Sequence, residues 1–147
     1  MKTEPIYRRI SRTAYQRKLP PQYSGSSWEG YIYVSDGDRF FKMKPDNLPE
    51  NVYSPIESNY IEHTISSMYD CKARNLTPLP DINTVKNIID GKELKRENQY
   101  RIKVGKKYVD IFYLLDALEA IKNPICKESK NYIRIENEQN ELCIIKE

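Results

Sequence analysis

The sequence predicts an α+β fold in which antiparallel strands form sheets and helices pack against them. Two observations lead to this prediction. Strand-like alternation and helix-like spacing occur in groups along the chain rather than in strict succession, and one stretch, residues 100–121, shows both periods in turn. Grouped elements of this kind favour antiparallel pairing over a doubly wound parallel sheet.

This stretch indicates a strand, a turn, a helix and a stop. Residues 100–104 alternate apolar and basic side chains, and Asp110 is a candidate N-cap for the helix. One face of this helix is apolar and consists of Ile111, Leu114, Leu115, Leu118 and Ile121. Asp116 and Glu119 are predicted on its exposed face, which would then be acidic. Pro124 prevents the helix from continuing.

Two hairpins are predicted, one towards each end of the chain. Residues 31–34 and 39–43 are rich in strand-forming side chains, and Gly37 between them can adopt the positive φ of a tight turn. The second hairpin joins residues 132–136 to residues 142–146. Both hairpins are typical of antiparallel sheets.

The middle of the chain predicts two more helices. They lie within residues 58–71 and 81–91, and Gly91 is suited to close the second one. Prolines punctuate the preceding segment, in which residues 51–56 are predicted to form a short strand. Residues 92–98 are charged and are expected to form a loop.

The positive charge of the protein is concentrated at the amino end. Residues 1–24 carry six basic residues and one acidic residue, a net charge of +5, whereas the remaining chain has 18 basic and 20 acidic residues, a net charge of −2. Tyr7 and Tyr15 are interspersed among these cations. Basic residues alternating with aromatic ones suit contacts with a nucleic-acid backbone, although a solvated arm remains the alternative. The predicted DNA-binding residues are Arg8, Arg9, Arg12, Arg17 and Lys18.

This charge distribution suggests a division of the chain. Residues 1–27 are interpreted as a basic segment and linker, in which residues 24–27 form a flexible joint, and residues 28–147 are interpreted as one α+β domain. The length of 147 residues also allows two small repeated units that share a sheet.

No enzymatic motif is convincing, and we expect a protein that is not an enzyme and needs no cofactor or metal. Pro80 and Asp81, followed by residues 93–95, match the loose PD…ExK pattern of metal-dependent nucleases, but that chemistry needs the ExK on a strand. Asp36 and Asp38 flank a glycine as in some calcium loops, yet the later ligands of such loops are missing. Glycine loops that cradle phosphate are absent from the sequence.

The remaining residues with reactive side chains indicate a cytoplasmic protein. Cys71, Cys126 and Cys143 are widely spaced and form no CxxC pair, so reduced thiols are expected. His63 is the single histidine and is predicted to lie on the surface. No apolar run is long enough to span a membrane, so no membrane partner is expected.

Several short motifs, in their order, resemble bacterial DNA polymerase III β sliding clamps. Residues 30–43, GYIYVSDGDRFFKM, resemble the clamp hairpin "ATDGHRL", with Asp38 in place of the usual histidine. Residues 79–90 resemble the "FPDY" connection of the clamp, and residues 100–121 resemble the strand and helix that follow it. Residues 131–147 are similar to the next strand pair. The resemblance spans residues 28–147.

The resemblance implies a non-enzymatic module built from βαβββ units, whose helices face duplex DNA without reading its sequence. Clamp sheets join edge to edge into a ring, so a chain of this length would act as a homo-oligomer or as a clamp-like binding module. Duplex DNA and replication proteins in the cytosol of a bacterium or a phage-infected cell are then the expected partners. The alternative is a phage or mobile-element protein that binds and inhibits a host protein. The basic amino end and the mildly acidic remainder do not decide between the clamp-like module and the inhibitor.

Overall fold

A computed structural model describes residues 3–47, 56–69 and 78–147. The described helices are α1 (Thr3–Gln16), α2 (Tyr60–Tyr69), α3 (Ile82–Gly91) and α4 (Ile111–Ala120). The described strands are β1 (Ser26–Trp28), β2 (Tyr31–Ser35), β3 (Arg39–Met43), β4 (Ile56–Glu57), β5 (Arg101–Val104), β6 (Lys107–Asp110), β7 (Ile125–Glu128), β8 (Tyr132–Glu136) and β9 (Leu142–Lys146). This arrangement confirms the α+β class.

Seven of these strands form one mixed sheet in the order β4-β1-β2-β3-β9-β8-β7. All neighbouring pairs are antiparallel except β1 and β4, which run parallel. β5 and β6 form a separate antiparallel hairpin. The strand predicted at residues 100–104 therefore lies outside the main sheet. It pairs with β6, a strand that the sequence pattern did not predict.

The main sheet contains two similar halves. In each half a helix is followed by three antiparallel strands: α1 precedes β1, β2 and β3, and α4 precedes β7, β8 and β9. The third strands of the two halves, β3 and β9, pair antiparallel in the middle of the sheet, where Phe41 lies opposite Cys143. Outward from this pairing, the strand order is β3-β2-β1 in one half and β9-β8-β7 in the other.

The hairpin turns of the two halves use the same backbone chemistry. Asp36 accepts hydrogen bonds from the backbone N–H groups of Asp38 and Arg39 through one carboxylate oxygen. Asn137 begins the other turn, and its side-chain oxygen accepts from two backbone N–H groups further along that turn. Asp and Asn favour such turns because their short side chains can bond to the nearby backbone.

Both faces of the sheet are covered. Residues of α1, α3 and α4 share one apolar core with the sheet face that carries Val34, Phe41 and Ile133. Residues of α2 pack on the opposite face against Tyr33 and Phe40. The central strands β2, β3 and β9 are mostly buried and apolar on both sides, as is typical of a sheet between two layers.

Both predicted hairpins and all three predicted helices are confirmed. The second hairpin has the predicted bounds, and Asp110 caps α4 by accepting from the N–H groups of Phe112 and Tyr113 at 2.8 and 3.2 Å. The predicted short strand at residues 51–56 lies outside the described residues except for Ile56, which begins β4. Cys71 also lies outside the described part.

Two expectations about the chain were wrong. Residues 24–27 were expected to be a flexible joint, but Ser26 and Ser27 belong to β1 and pair with both β2 and β4. Asp116 was expected on an exposed face of α4, but the residue is only 2% exposed. Helix α4 is buried on more than one side because α1, α3 and the sheet all contact it.

Candidate nucleic-acid interface

Helix α1 is amphipathic and anchored. Ile6, Ile10 and Ala14 are buried at helical spacing and form part of the apolar core. The residues that we interpreted as a separate basic segment therefore contribute to the same core as the rest of the described chain. Side chains on the opposite face of α1 are held on a fixed surface rather than on a mobile arm.

Three of the five predicted DNA-binding residues are exposed and form no ion pair outside α1 in the described structure. Arg8 and Arg12 lie one helical turn apart on the exposed face of α1, and Lys18 is exposed just beyond the end of the helix. Arg8 pairs with Glu4 at 3.1 Å, and its side chain is 55% exposed. Within the residues that the structure describes, Arg12 and Lys18 have no ion pair. These cations are available to an external anion.

The other two predicted residues are engaged within the protein. A terminal nitrogen of the Arg9 guanidinium, Nη1, lies 3.1 Å from the Asp116 carboxylate. Arg17 donates at 2.8 Å both to the Asp38 carboxylate and to the backbone oxygen of Asp36. The structure therefore divides the predicted set into an outward group and an inward or paired group.

Asp116 is the centre of a buried charge cluster. Arg39 donates to it at 2.7 Å, and Arg96 donates to both of its oxygens at 2.8 and 3.0 Å. With Arg9, three arginines from α1, β3 and the segment after α3 converge on one carboxylate. Arg39 also pairs with Asp36 at 3.1 Å. We call these five residues the Asp116 cluster.

The protonation states of the cluster follow from burial and neighbouring charges. Burial alone would raise the pKa of Asp116, but hydrogen bonds and charge from Arg96 and Arg39 hold it below its ordinary value. Burial would lower the pKa of Arg39, yet Asp116 and Asp36 raise it above the usual range. Burial lowers the pKa of Arg9, and the charges of Arg96 and Arg39 lower it further against the attraction of Asp116. Arg9 and Arg39 stay charged, since an arginine pKa lies far above neutral pH.

Aromatic rings of α4 support the same cluster. The Arg39 guanidinium lies 4.1 Å from the centre of the Tyr113 ring, and that of Arg96 lies 5.0 Å from the centre of the Phe112 ring. The sequence held a signal for this site that we did not use. Asp116 is the single charged residue among the first eight of α4, and a helix that is apolar on nearly all sides buries such a residue.

A groove runs beside the exposed face of α1. A hollow of about 330 Å³ is lined by Arg8, Ser11 and Arg12, and an adjoining hollow of about 650 Å³ is lined by Lys18 and Leu19 among others. Tyr15 and Ser24 border both hollows. The groove therefore has a basic part and a more apolar part, with Tyr15 between them.

The residues of the nuclease-like pattern are not brought together. Asp81 caps the start of α3 by accepting from the N–H group of Asn83, whereas residues 93–95 follow the end of that helix. A helix of 10 residues is about 15 Å long, too far for the two ends to bind one metal ion. Throughout the described ranges, no three His, Cys, Asp or Glu side chains are grouped to hold a metal ion.

The isolated reactive residues lie apart from the groove. His63 is exposed on α2. Cys126 and Cys143 are buried free thiols, and burial raises the pKa of Cys126 to about 12. Such thiols are poor nucleophiles because the thiolate is the reactive form.

Two further findings concern the chain as a whole. None of the described helices combines the length and apolar character that crossing a membrane would need. The chain matches no protein-family model, no curated protein and no solved structure.

Proposed function

We propose that this protein is a non-enzymatic, clamp-like module that binds duplex DNA without sequence preference through the exposed face of α1. The observation that carries the proposal is the outward set of Arg8 and Arg12 on α1 and Lys18 just beyond its end, on a helix whose other face is buried in the core. Cations on a rigid surface can neutralise phosphates at a lower entropic cost than cations on a mobile arm.

Phosphate contacts of this kind give affinity but no base recognition. Each neutralised phosphate releases condensed counterions, so binding weakens as salt rises, with a slope of about −0.9 per contact. Arg8 is compatible with such a contact because its exposed pair with Glu4 is weak and salt-sensitive. Phosphates are the same in every sequence, so contacts to them position the protein without reading bases.

The clamp-like part of the proposal is supported by the two similar halves of the sheet. Each half places a helix and then three antiparallel strands, which is the last part of the βαβββ order that the resemblance implies. Helices α1 and α4 also contact each other on one sheet face. Helix α3 covers part of α4. Of α1 and α4, it is therefore α1 that offers an exposed basic face. A ring would then need several copies of the chain.

The proposal is tested by binding to a random duplex over a range of salt concentrations. Replacing Arg8, Arg12 and Lys18 by alanine together should weaken binding and reduce the salt slope by about 2 to 3. The matched control replaces Lys86, Lys103 and Lys122, which are exposed and lie away from α1, so it removes the same charge. The control should bind nearly as the unmodified protein does.

Equal losses of duplex affinity in both triple variants would show that only overall charge matters. This result would contradict the assignment of α1 as the DNA-binding surface. Absence of duplex binding by the unmodified protein would overturn the proposal and favour the host-protein inhibitor instead. The absolute mass in solution, measured by light scattering, tests the ring separately. A discrete assembly of several copies supports it, and a monomer or dimer contradicts it.

A further inference from the structure

Tyr15 is the most exposed large hydrophobic residue in the described chain, with 81% of its surface open to solvent. It follows Arg8 and Arg12 on one face of α1, at the positions i, i+4 and i+7. An aromatic ring left in water at such a position gains nothing from the core. Its flat face is, however, open to a planar ligand between the two hollows of the groove.

The floor of the groove is held in place by hydrogen bonds. Ser11 donates its hydroxyl to the backbone oxygen of Ser24 at 2.7 Å, and Tyr7 donates to the same oxygen at 3.3 Å. These bonds fix α1 to the short 3-10 helix Pro21–Ser24, which forms the opposite wall. The space beside Tyr15 therefore exists before any ligand arrives, which lowers the cost of binding.

We propose that this groove binds single-stranded nucleic acid, with one base stacked on Tyr15 and the adjoining phosphates held by Arg8, Arg12 and Lys18. The inference rests on the proposed function, because it uses the same face of α1. Stacking of bases on aromatic side chains, combined with cations along the backbone, is the general chemistry of single-strand recognition. Leu19 and Pro21 provide the apolar surface against which the far edge of the base rests.

The same ring discriminates against an intact duplex. Bases in a duplex already stack on each other, and moving one out costs a few kcal/mol of unstacking and unpairing. In a single strand or a gapped duplex, less free energy is needed to move a base out of its stack. The charge of the groove also favours an anionic occupant. The lining residues of its two hollows include three cations and no carboxylate, and Glu4 pairs with Arg8.

The test compares a fluorescent oligothymidine with a duplex of the same length by anisotropy. Tyr15→Ala should weaken binding of oligothymidine by roughly tenfold and leave duplex binding nearly unchanged. Tyr15→Trp should retain single-strand binding, because tryptophan also offers a ring to stack on. Tyr108→Ala removes a tyrosine on β6 that is 50% exposed, and it serves as the control with no expected effect.

Titration of the two nucleic acids tests the stacking site separately from duplex binding. If duplex binding depends on the cations of α1 but Tyr15→Ala has no effect on oligothymidine, the stacking site is overturned and the proposed function stands. If neither nucleic acid binds, both fail. If an acidic peptide of mixed sequence displaces oligothymidine and binds tightly with the same dependence on Tyr15, the groove is a peptide site and the inference is wrong. Because Tyr15 lies outside the core, circular dichroism should show an unchanged fold in all variants.

Discussion

Two groups of cations on the same helix have opposite environments. Arg9 projects into the Asp116 cluster, where its side chain is only 35% exposed, whereas Arg12, one turn further along, is exposed to solvent. Both are arginines within the same basic segment, and a charge count treats them alike. The comparison shows that the partner of a cation, rather than its type, decides whether it stabilises the fold or remains available for a ligand.

The difference in environment also sets how much a mutation changes the stability of the fold. A buried charge that loses its partner stays desolvated without compensation, which typically costs about 3 to 5 kcal/mol. An exposed ion pair on a helix, such as that of Arg8 with Glu4, contributes about 0.3 to 0.5 kcal/mol. Mutations in the two groups should therefore separate into stability effects and binding effects.

Asp116→Ala should reduce the stability of the protein more than the other substitutions. It leaves Arg9, Arg39 and Arg96 facing one another without their shared carboxylate, so the free energy of unfolding should fall by about 3 to 5 kcal/mol. Urea unfolding followed by circular dichroism measures this change. Glu119→Ala on the same helix is the control and should change the value by less than about 0.5 kcal/mol. Similar small effects for both variants would contradict the central role of Asp116.

Acid should destabilise the protein through the same carboxylate. The pKa of Asp116 is lowered in the folded state, so its contribution is complete above the unfolded value of about 3.9 and is lost as the pH falls through the folded value. Stability should therefore decline below about pH 4, by less than the loss in Asp116→Ala. Thermal unfolding between about pH 2 and 6 tests this, and Asp116→Asn should show a flatter profile. An identical profile in that variant would exclude Asp116 as the cause.

Arg9→Ala should have an intermediate effect on stability. Asp116 keeps its hydrogen bonds from Arg39 and Arg96, so the expected loss is about 1 to 2 kcal/mol. Removing Arg9 should also leave duplex affinity nearly unchanged in conditions where the variant is folded. The two measurements are chemical unfolding and duplex titration. A loss of affinity larger than that of Arg12→Ala would place Arg9 in the interface.

Arg12→Ala should have the smallest effect on stability and a clear effect on binding. The side chain has no ion pair in the described structure and is exposed, so the free energy of unfolding should change by less than about 0.5 kcal/mol. Duplex affinity should fall, and the salt slope should decrease by about 0.9. Arg12→Lys retains the charge and should restore most of the affinity. Failure of lysine to restore it would indicate a contact that needs the guanidinium geometry.

Local patterns predicted the longer elements because those patterns depend on neighbours in the sequence. The hairpin turn that begins with Asp36, the cap at Asp110 and the last two strands all follow from residues within a few positions of one another. The short strands β1, β6 and β7 have three or four residues each, and their sequences do not alternate apolar and polar side chains. Their strand conformation depends on pairing with partners across the sheet or hairpin.

The sequence by itself determined the fold class, the two hairpins and the concentration of cations near the amino end. Only the tertiary structure decided which cations remain exposed. Arg9 and Asp116 are 107 positions apart, and their contact forms because α1 and α4 pack on the same face of one sheet. Spacing along a chain sets which face of a helix a side chain occupies, but burial and charge pairing depend on elements that only folding brings into contact.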